Sequence, residues 1–332
     1  MPEPEFEVRP SVVVGDTADV YFHRTLTILR NEGINPVVAM EFFPARDGVL
    51  CGVKEAIALL SKVLPEQSRE VWAMEEGHPI QSKEVGLRVK APYASFGLYE
   101  TAICGILSSC TGWATAAKEA VDAAQGIPVF SFGARHVHPN VAGSMDYAAI
   151  VGGCVSCSSV LGARMADVTP SGTMPHALIL VMGDTVKATI AFDKHMPQDV
   201  PRVSLVDTFK DEAEESLNVA KALKERLRGV RLDTPGERGS VTIDLVKEVR
   251  ARLDLAGFNH VEIVVSGGLS LERIRAFVEA GAPIDGFGVG GAISSSPPND
   301  FTGDIHEVDG KAVAKRGRIP GVTANPHLER IL

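Results

Sequence analysis

After Gly126 the chain settles into one repeating pattern, and that pattern restricts the fold more than any other feature. Short runs rich in Val, Ile and Leu alternate with helical periodicities, and each run closes on a polar or Gly-rich tip. Ile127-Pro-Val-Phe-Ser-Phe ends in Gly133-Ala-Arg-His, Arg202-Val-Ser-Leu-Val in Asp207-Thr208, and Gly229-Val-Arg-Leu in Asp233-Thr234. Val261-Glu-Ile-Val-Val ends in Ser266-Gly-Gly, and Ile284-Asp-Gly-Phe ends in Gly288-Val-Gly-Gly. Helices are predicted between them: over 210–227, with Ala213, Leu217, Ala220 and Leu227 on one face, and over 240–253, with Ile243, Val246, Val249 and Leu253. A third is capped by Ser270 and ended by Gly281. Repeated β-then-α units imply parallel strands, and strands covered on both faces explain the near-continuous apolar runs. A barrel and a doubly wound open sheet both fit. Useful residues at nearly every strand's C-terminal end favour an irregular α/β barrel, because that is how such a barrel assembles a site.

The first third reads differently, as an N-terminal α+β layer. Asp16-Thr17 is expected to cap a helix reaching about residue 30, closed by Gly33. A strand over 36–43, a helix over 53–63 and short strands over 70–74 and 86–91 follow. The apolar spacing of Tyr93, Phe96, Ile103 and Leu107 predicts a helix over 93–110, with a second over 113–125. The tail predicts a hairpin around Asp309-Gly310, packing back on the N-terminal layer. The expected division is therefore an N-terminal α+β domain over 1–112, a barrel over 113–295 and a tail over 296–332.

Composition narrows the function. The 332 residues suffice for about two domains at ~150 residues each. Asp and Glu outnumber Lys and Arg by 42 to 33, a net charge of −9 that argues against bulk attraction to nucleic acid or an anionic membrane. The acidic start, Met1-Pro-Glu-Pro-Glu, does not read as a signal peptide, and no apolar run approaches the ~20 residues of a membrane span, so a cytoplasmic location is expected. Five cysteines make no disulfide framework. Cys154 and Cys157 form a CxxC without the second pair a structural zinc wants, and read as small buried thiols.

Several tips carry chemistry. Ser266-Gly267-Gly268 and Gly288-Val-Gly290-Gly291 each lead towards a helix or turn whose free N–H groups can hold a phosphate, and a barrel commonly seats phosphate on its last strands. Asp207 and Asp233 could hold ribose hydroxyls or water around Mg²⁺, or could equally cap the helices that follow. His176, after the turn Gly172-Thr173-Met-Pro, could be a nucleophile towards phosphorus, a general base or a half-buried structural imidazole. Arg135, His136 and His138 cluster at one strand end and suggest a local anion site, while Arg231 on its strand needs a counter-charge from the protein or from a ligand carboxylate.

Seven motifs in one order resemble the nicotinate phosphoribosyltransferase family of the shorter bacterial and archaeal type. They are Tyr99-Glu100-Thr101, Phe132-Gly-Ala-Arg135, Gly172-Thr173-Met-Pro-His176, Leu205-Val-Asp207-Thr208, Gly229-Val-Arg231-Leu-Asp233-Thr, Val265-Ser-Gly-Gly and Phe287-Gly-Val-Gly. The resemblance spans Asp19-Val-Tyr21 to Lys315-Arg-Gly317 and implies a homodimer or higher assembly with shared active sites. It implies transfer of phosphoribose from phosphoribosyl pyrophosphate to nicotinate in NAD biosynthesis, with ATP as co-substrate, Mg²⁺ as cofactor, and a ligase-type phosphohistidine enzyme modified at His176. It further implies that His176, Arg231 and Asp233 are catalytic, and that Tyr21, Thr173, Arg231, Arg135 and His138 serve nicotinate. Asp207, Asp233, Ser266, Gly267, Gly268, Gly288, Gly290 and Gly291 would then hold the phosphoribose. Two positions depart from the pattern, Gly291 in place of Thr and His136 in place of a second Arg. The Cys-rich zinc module of some archaeal relatives has no counterpart before residue 332, so no structural metal is expected.

Three other readings remain. Quinolinate phosphoribosyltransferase shares the general architecture, binds a dicarboxylate and needs no ATP; it would call for more cationic groups and no nucleophilic His. A phosphoribosyl-ligand binding protein without catalysis is motivated by Gly291 and His136. A phosphosugar aldolase or isomerase would need a Schiff-base Lys at a strand end, and none stands out.

Overall fold

Each apolar run after Gly126 forms one strand of a single parallel sheet. In the computed structural model, which describes residues 6–332, its order from edge to edge is Ser156–Cys157, Val129–Ser131, Gly286–Val289, Glu262–Val265, Gly229–Leu232 and Val203–Leu205. Every neighbouring pair is parallel, as in the register Val264↔Arg231 and Phe287↔Val129. No ladder joins the two outer strands among the described residues, so the barrel is an open half-barrel. The sheet residues Val230, Leu232, Ile263, Val265, Phe287 and Val289 are fully buried. Each such side chain contributes roughly 1.5–3 kcal/mol by leaving water.

The sheet belongs to one of two compact units, formed by Ala116–Arg164 with Val168–Ser295. Its helices begin at side-chain caps. Asp211 accepts from the N–H of Ala213 (3.0 Å) and Glu214 (3.3 Å) and starts the helix Glu212–Leu223. Thr242 caps Ile243–Leu255, and Ser270 caps Leu271–Glu279. The inward face of Glu212–Leu223 is Ala213, Ser216, Val219, Ala220 and Leu223; Leu217, expected inside, is half-buried. Burial pushes the thiols of Cys154 and Cys157 up to about 12, so both stay protonated.

The other unit comprises the residues up to Thr115, Met165–Asp167 and Ser296–Leu332. Its core is an antiparallel six-stranded sheet in the order Lys311–Ala312, Thr302–Val308, Val37–Phe43, Leu87–Pro92, Glu70–Ala73 and Glu329–Arg330. The helix Val53–Val63 buries Val53, Ala56, Leu59 and Leu60 in a core shared with Phe42, Phe96, Ile103 and Leu107. Glu41, wholly buried on the central strand, accepts from Arg88 Nε (2.7 Å) and from Thr323 Oγ1 (2.7 Å), which satisfies a charge that would otherwise be costly. The acidic start at Met1–Glu5 lies outside the described residues.

Three sequence expectations shift here. The helix expected from Asp16 is instead Val20–Asn31, preceded by one turn of helix at Pro10–Val13; Asp19 precedes it, and its carboxylate accepts from Thr101 Oγ1 (2.9 Å) and Tyr21 (3.1 Å). The helix expected over 93–110 is a turn, Tyr93–Phe96, and a 3₁₀ step, Gly97–Tyr99, followed by one helix, Glu100–Ala123. Gly112 does not break that helix. It lets the backbone of Pro297 approach, since a Cβ there would sit 2.6 Å from the Pro297 carbonyl oxygen. Among the described residues no helix is long and apolar enough to cross a membrane.

Candidate active site

The C-terminal tips of the parallel strands enclose a cavity of about 800 Å³ within the half-barrel unit. Pleating decides what it contains: along Gly229–Leu232 the neighbours of Arg231 are buried in the sheet, while Arg231 itself lines the cavity. Its Nη1 donates to Thr173 Oγ1 at 2.8 Å, and its Nη2 lies 3.8 Å from Asp233 Oδ2. The guanidinium stands over the Phe132 ring, 5.6 Å from its centroid. Burial lowers the pKa of Arg231 below its ordinary value; Asp233 and Asp207 oppose this, and the like charge of Arg135 adds to it. Arginine keeps its proton through such shifts. Its Nε is buried without a hydrogen-bond partner among the described residues, so the protein leaves this charged group incompletely satisfied.

His176 opens the helix His176–Met182, directly after Pro175. Its Nε2 is 3.2 Å from Asp207 Oδ1, and the Asp207 side chain is fully buried. Burial raises the Asp207 pKa, with His176 pulling it back. Asp207 therefore orients the imidazole from behind and does not itself line the cavity. Asp233 does line it, accepting from Ser266 Oγ at 2.8 Å. The capping alternative for these two aspartates is excluded, because Asp211 and Thr242 are the caps.

The two Gly-rich tips form the remaining wall. Gly267 and Gly268 are both left-handed, at φ +87° and +59°, where side chains carry strain. A Cβ on Gly267 would stand 3.0 Å from Asp233 Oδ1, and one on Gly290 would stand 2.9 Å from the His136 ring. Among the described residues the N–H groups of Gly267, Gly268, Gly290 and Gly291 donate to no backbone carbonyl. Unengaged amides gathered beside a buried guanidinium make a site for anions.

Arg135, Thr173, His176, Arg231, Asp233, Ser266 and the glycines 267, 268, 288, 290 and 291 thus meet around one cavity. Besides Asp207, two expected residues stand outside that lining. His138 is exposed, its Nδ1 accepting from the Asn140 N–H at 3.1 Å. Tyr21 belongs to the other unit, is 54% exposed, and donates to Asp19. Phe132, Ser158, Ser171 and Leu269 also line the cavity without having been singled out for a role. An aromatic residue at a strand end, as Phe132 is, was the only signal for any of them.

Comparison with known proteins identifies the fold and corrects the activity. Residues 113–303 match the quinolinate phosphoribosyl transferase C-terminal domain, and residues 19–111 match its N-terminal domain. The solved structure of a nicotinate-nucleotide pyrophosphorylase from Pyrococcus furiosus is similar at 43% identity and TM-score 0.88, over 100% of this chain and 86% of that one. The human nicotinic acid phosphoribosyltransferase, at 19% identity and TM-score 0.74 over 92% of this chain and 77% of that one, shares the fold. A nicotinate phosphoribosyltransferase of Mycobacterium tuberculosis is 34% identical over 252 residues, 74% of this chain and 53% of that protein; the chain spans about half the length of the curated relatives it matches.

The assignment to the ATP-coupled nicotinate phosphoribosyltransferases is therefore overturned by both domain matches and by the Pyrococcus structure. The ligase reading, the phosphohistidine at His176, ATP as co-substrate and Mg²⁺ as cofactor fall with it. In the structure the Nε2 of His176 pairs with the buried Asp207, and Asp233 accepts from Ser266. The chain belongs to the quinolinate phosphoribosyltransferase family.

Proposed function

We propose that this chain transfers phosphoribose from phosphoribosyl pyrophosphate to a pyridine carboxylate without an ATP step, with quinolinate as the base and nicotinate mononucleotide as the product. One observation supports this above the others: a charged Arg231, incompletely satisfied by the protein, lines the same cavity as two glycine tips whose amides are unengaged. The first suits a carboxylate and the second a phosphate. Quinolinate carries two carboxylates, and Arg135 and Arg231 offer two guanidiniums to one cavity that His176 also lines, with Arg231 feeling the charge of Arg135.

In the reaction the pyridine nitrogen bonds to the anomeric carbon as the bond from that carbon to pyrophosphate breaks. The carboxylate next to the ring nitrogen then leaves as CO₂, and the electron pair left on the ring carbon takes a proton from solvent. The sugar passes through a cation-like state, so the protein's work is positioning and charge stabilisation. Arg231 and Thr173 orient the base, with Phe132 beneath the guanidinium. Asp233, held by Ser266, faces the sugar and stabilises positive charge developing there. The glycine tips hold the 5′-phosphate, and Asp207 fixes His176.

Pyrophosphate release from phosphoribosyl pyrophosphate, measured without ATP in the presence of quinolinate, nicotinate or nicotinamide, tests the reading. Quinolinate is expected to give pyrophosphate and CO₂ in equal amounts, nicotinamide neither, and added ATP is expected to remain intact. Turnover confined to nicotinate and dependent on ATP would overturn it.

A further inference from the structure

Arg273 lies on the helix Leu271–Glu279, just beyond the first glycine tip, and does not line the cavity. Its Nη1 nevertheless donates to the carbonyls of both Gly267 (2.9 Å) and Gly268 (3.0 Å). Its Nη2 donates to the carbonyl of Val241 at 2.8 Å, and its guanidinium sits 6.0 Å from the centroid of the Phe277 ring. The guanidinium is thus clamped on three carbonyls from two loops.

Peptide planarity gives that clamp a consequence for the cavity. In a trans peptide the C=O and the following N–H point in opposite directions. Drawing the Gly267 carbonyl towards Arg273 turns the Gly268 N–H away from it, and drawing the Gly268 carbonyl does the same for the Leu269 N–H. Gly267, Gly268 and Leu269 all line the cavity. Without the clamp, two successive left-handed glycines are free to rotate their peptides and present carbonyl oxygens to the cavity, which repel a phosphate.

Building on the phosphoribosyl-transfer reading, we propose that Arg273 is a positioning residue that holds the Gly267–Gly268 carbonyls back so that the adjoining amides face the phosphate of phosphoribosyl pyrophosphate. It acts through the loop and makes no contact with the substrate. A lysine would keep the charge without the fork that spans three acceptors, so Arg and Lys are not equivalent here.

Steady-state kinetics of Arg273→Met and Arg273→Lys, with calorimetric titration of phosphoribosyl pyrophosphate into each protein, test this. Arg273→Met is expected to raise the KM for phosphoribosyl pyrophosphate about tenfold, with kcat within about threefold and the KM for quinolinate unchanged. Arg273→Lys is expected to raise it less, about threefold, and serves alone if the Met variant does not fold. A lower thermal midpoint with an unchanged KM would make Arg273 a structural clamp only and overturn the proposal. So would a parallel loss in kcat and both KM values. Wild-type protein that binds no phosphoribosyl pyrophosphate would remove the functional reading itself, and the role of Arg273 with it.

Discussion

Arg231 is placed at a cost that the fold alone does not require. Burial lowers its pKa, its Nε has no partner among the described residues, and its nearest carboxylate is 3.8 Å away. Under the proposed function a ligand carboxylate would complete such a group, since charge-assisted hydrogen bonds are roughly twice as strong as neutral ones. Arg231→Ala is therefore expected to weaken quinolinate binding by about 10- to 100-fold, equivalent to ~1.5–3 kcal/mol, and to leave phosphoribosyl pyrophosphate binding within about threefold. Calorimetric titration with each ligand separates the two effects, and equal losses for both would assign Arg231 to general scaffolding. Much of this cavity was legible beforehand. Asp233 and the glycine tips follow apolar runs and Arg231 lies within one, where a parallel sheet delivers residues to one end, while Thr173 and His176 sit on a Gly/Pro turn that opens an apolar helical run. Arg273 and Ser158 were not legible, because their surroundings depend on neighbours brought in across strands. Asp207 stood out as a strand-end carboxylate expected on the ribose and Mg²⁺ side, but its burial behind His176 could be seen only in three dimensions.

Elements were readable where one local signal decided them and misread where two signals competed. Val53–Val63 was placed without error because its apolar spacing and flanking Gly52 agree. Glu100–Ala123 was split at Gly112, a residue that punctuates chains locally but here allows a close backbone approach from residue 297. The start of that helix has its own consequence. Burial, then Asp304 and Asp19, push Glu100 from the ordinary 4.5 up to about 7. The unfolded chain ionises Glu100 at about 4.5, whereas the folded chain resists ionisation until about 7, so this unit loses stability as pH rises between those values. Glu100→Gln removes the titration. Because the carboxyl keeps partial solvent access, the gain is about 1 kcal/mol above pH ~7.5 and near zero at pH ~4. Both tryptophans, Trp72 and Trp113, belong to this unit, so urea unfolding followed by their fluorescence reads it directly. A variant that is equally stabilised at both pH values would refute the coupling.

At the scale of the whole molecule, the chain carries a net charge of −9 while its half-barrel unit concentrates Arg135, Arg231 and free amides in one cavity. The two fields act on a polyanionic substrate at different distances. Repulsion from the molecule as a whole acts through water and is screened over a Debye length of ~30 Å at 0.01 M salt and ~8 Å at 0.15 M. The attraction inside the cavity acts at contact, beside a mostly buried guanidinium, where salt screens it far less. Raising ionic strength from low values should therefore weaken the opposing field first. The expected outcome is a kcat/KM for phosphoribosyl pyrophosphate that rises about two- to fivefold between ~0.01 M and ~0.15 M NaCl before falling at higher salt. Quinolinate, with fewer charges, should show a smaller rise over the same range. Stopped-flow binding at fixed pH places the effect in the association rate. A steady fall in kcat/KM from the lowest salt upward would mean that the cavity's own field, rather than the acidic surface around it, governs the approach of substrate.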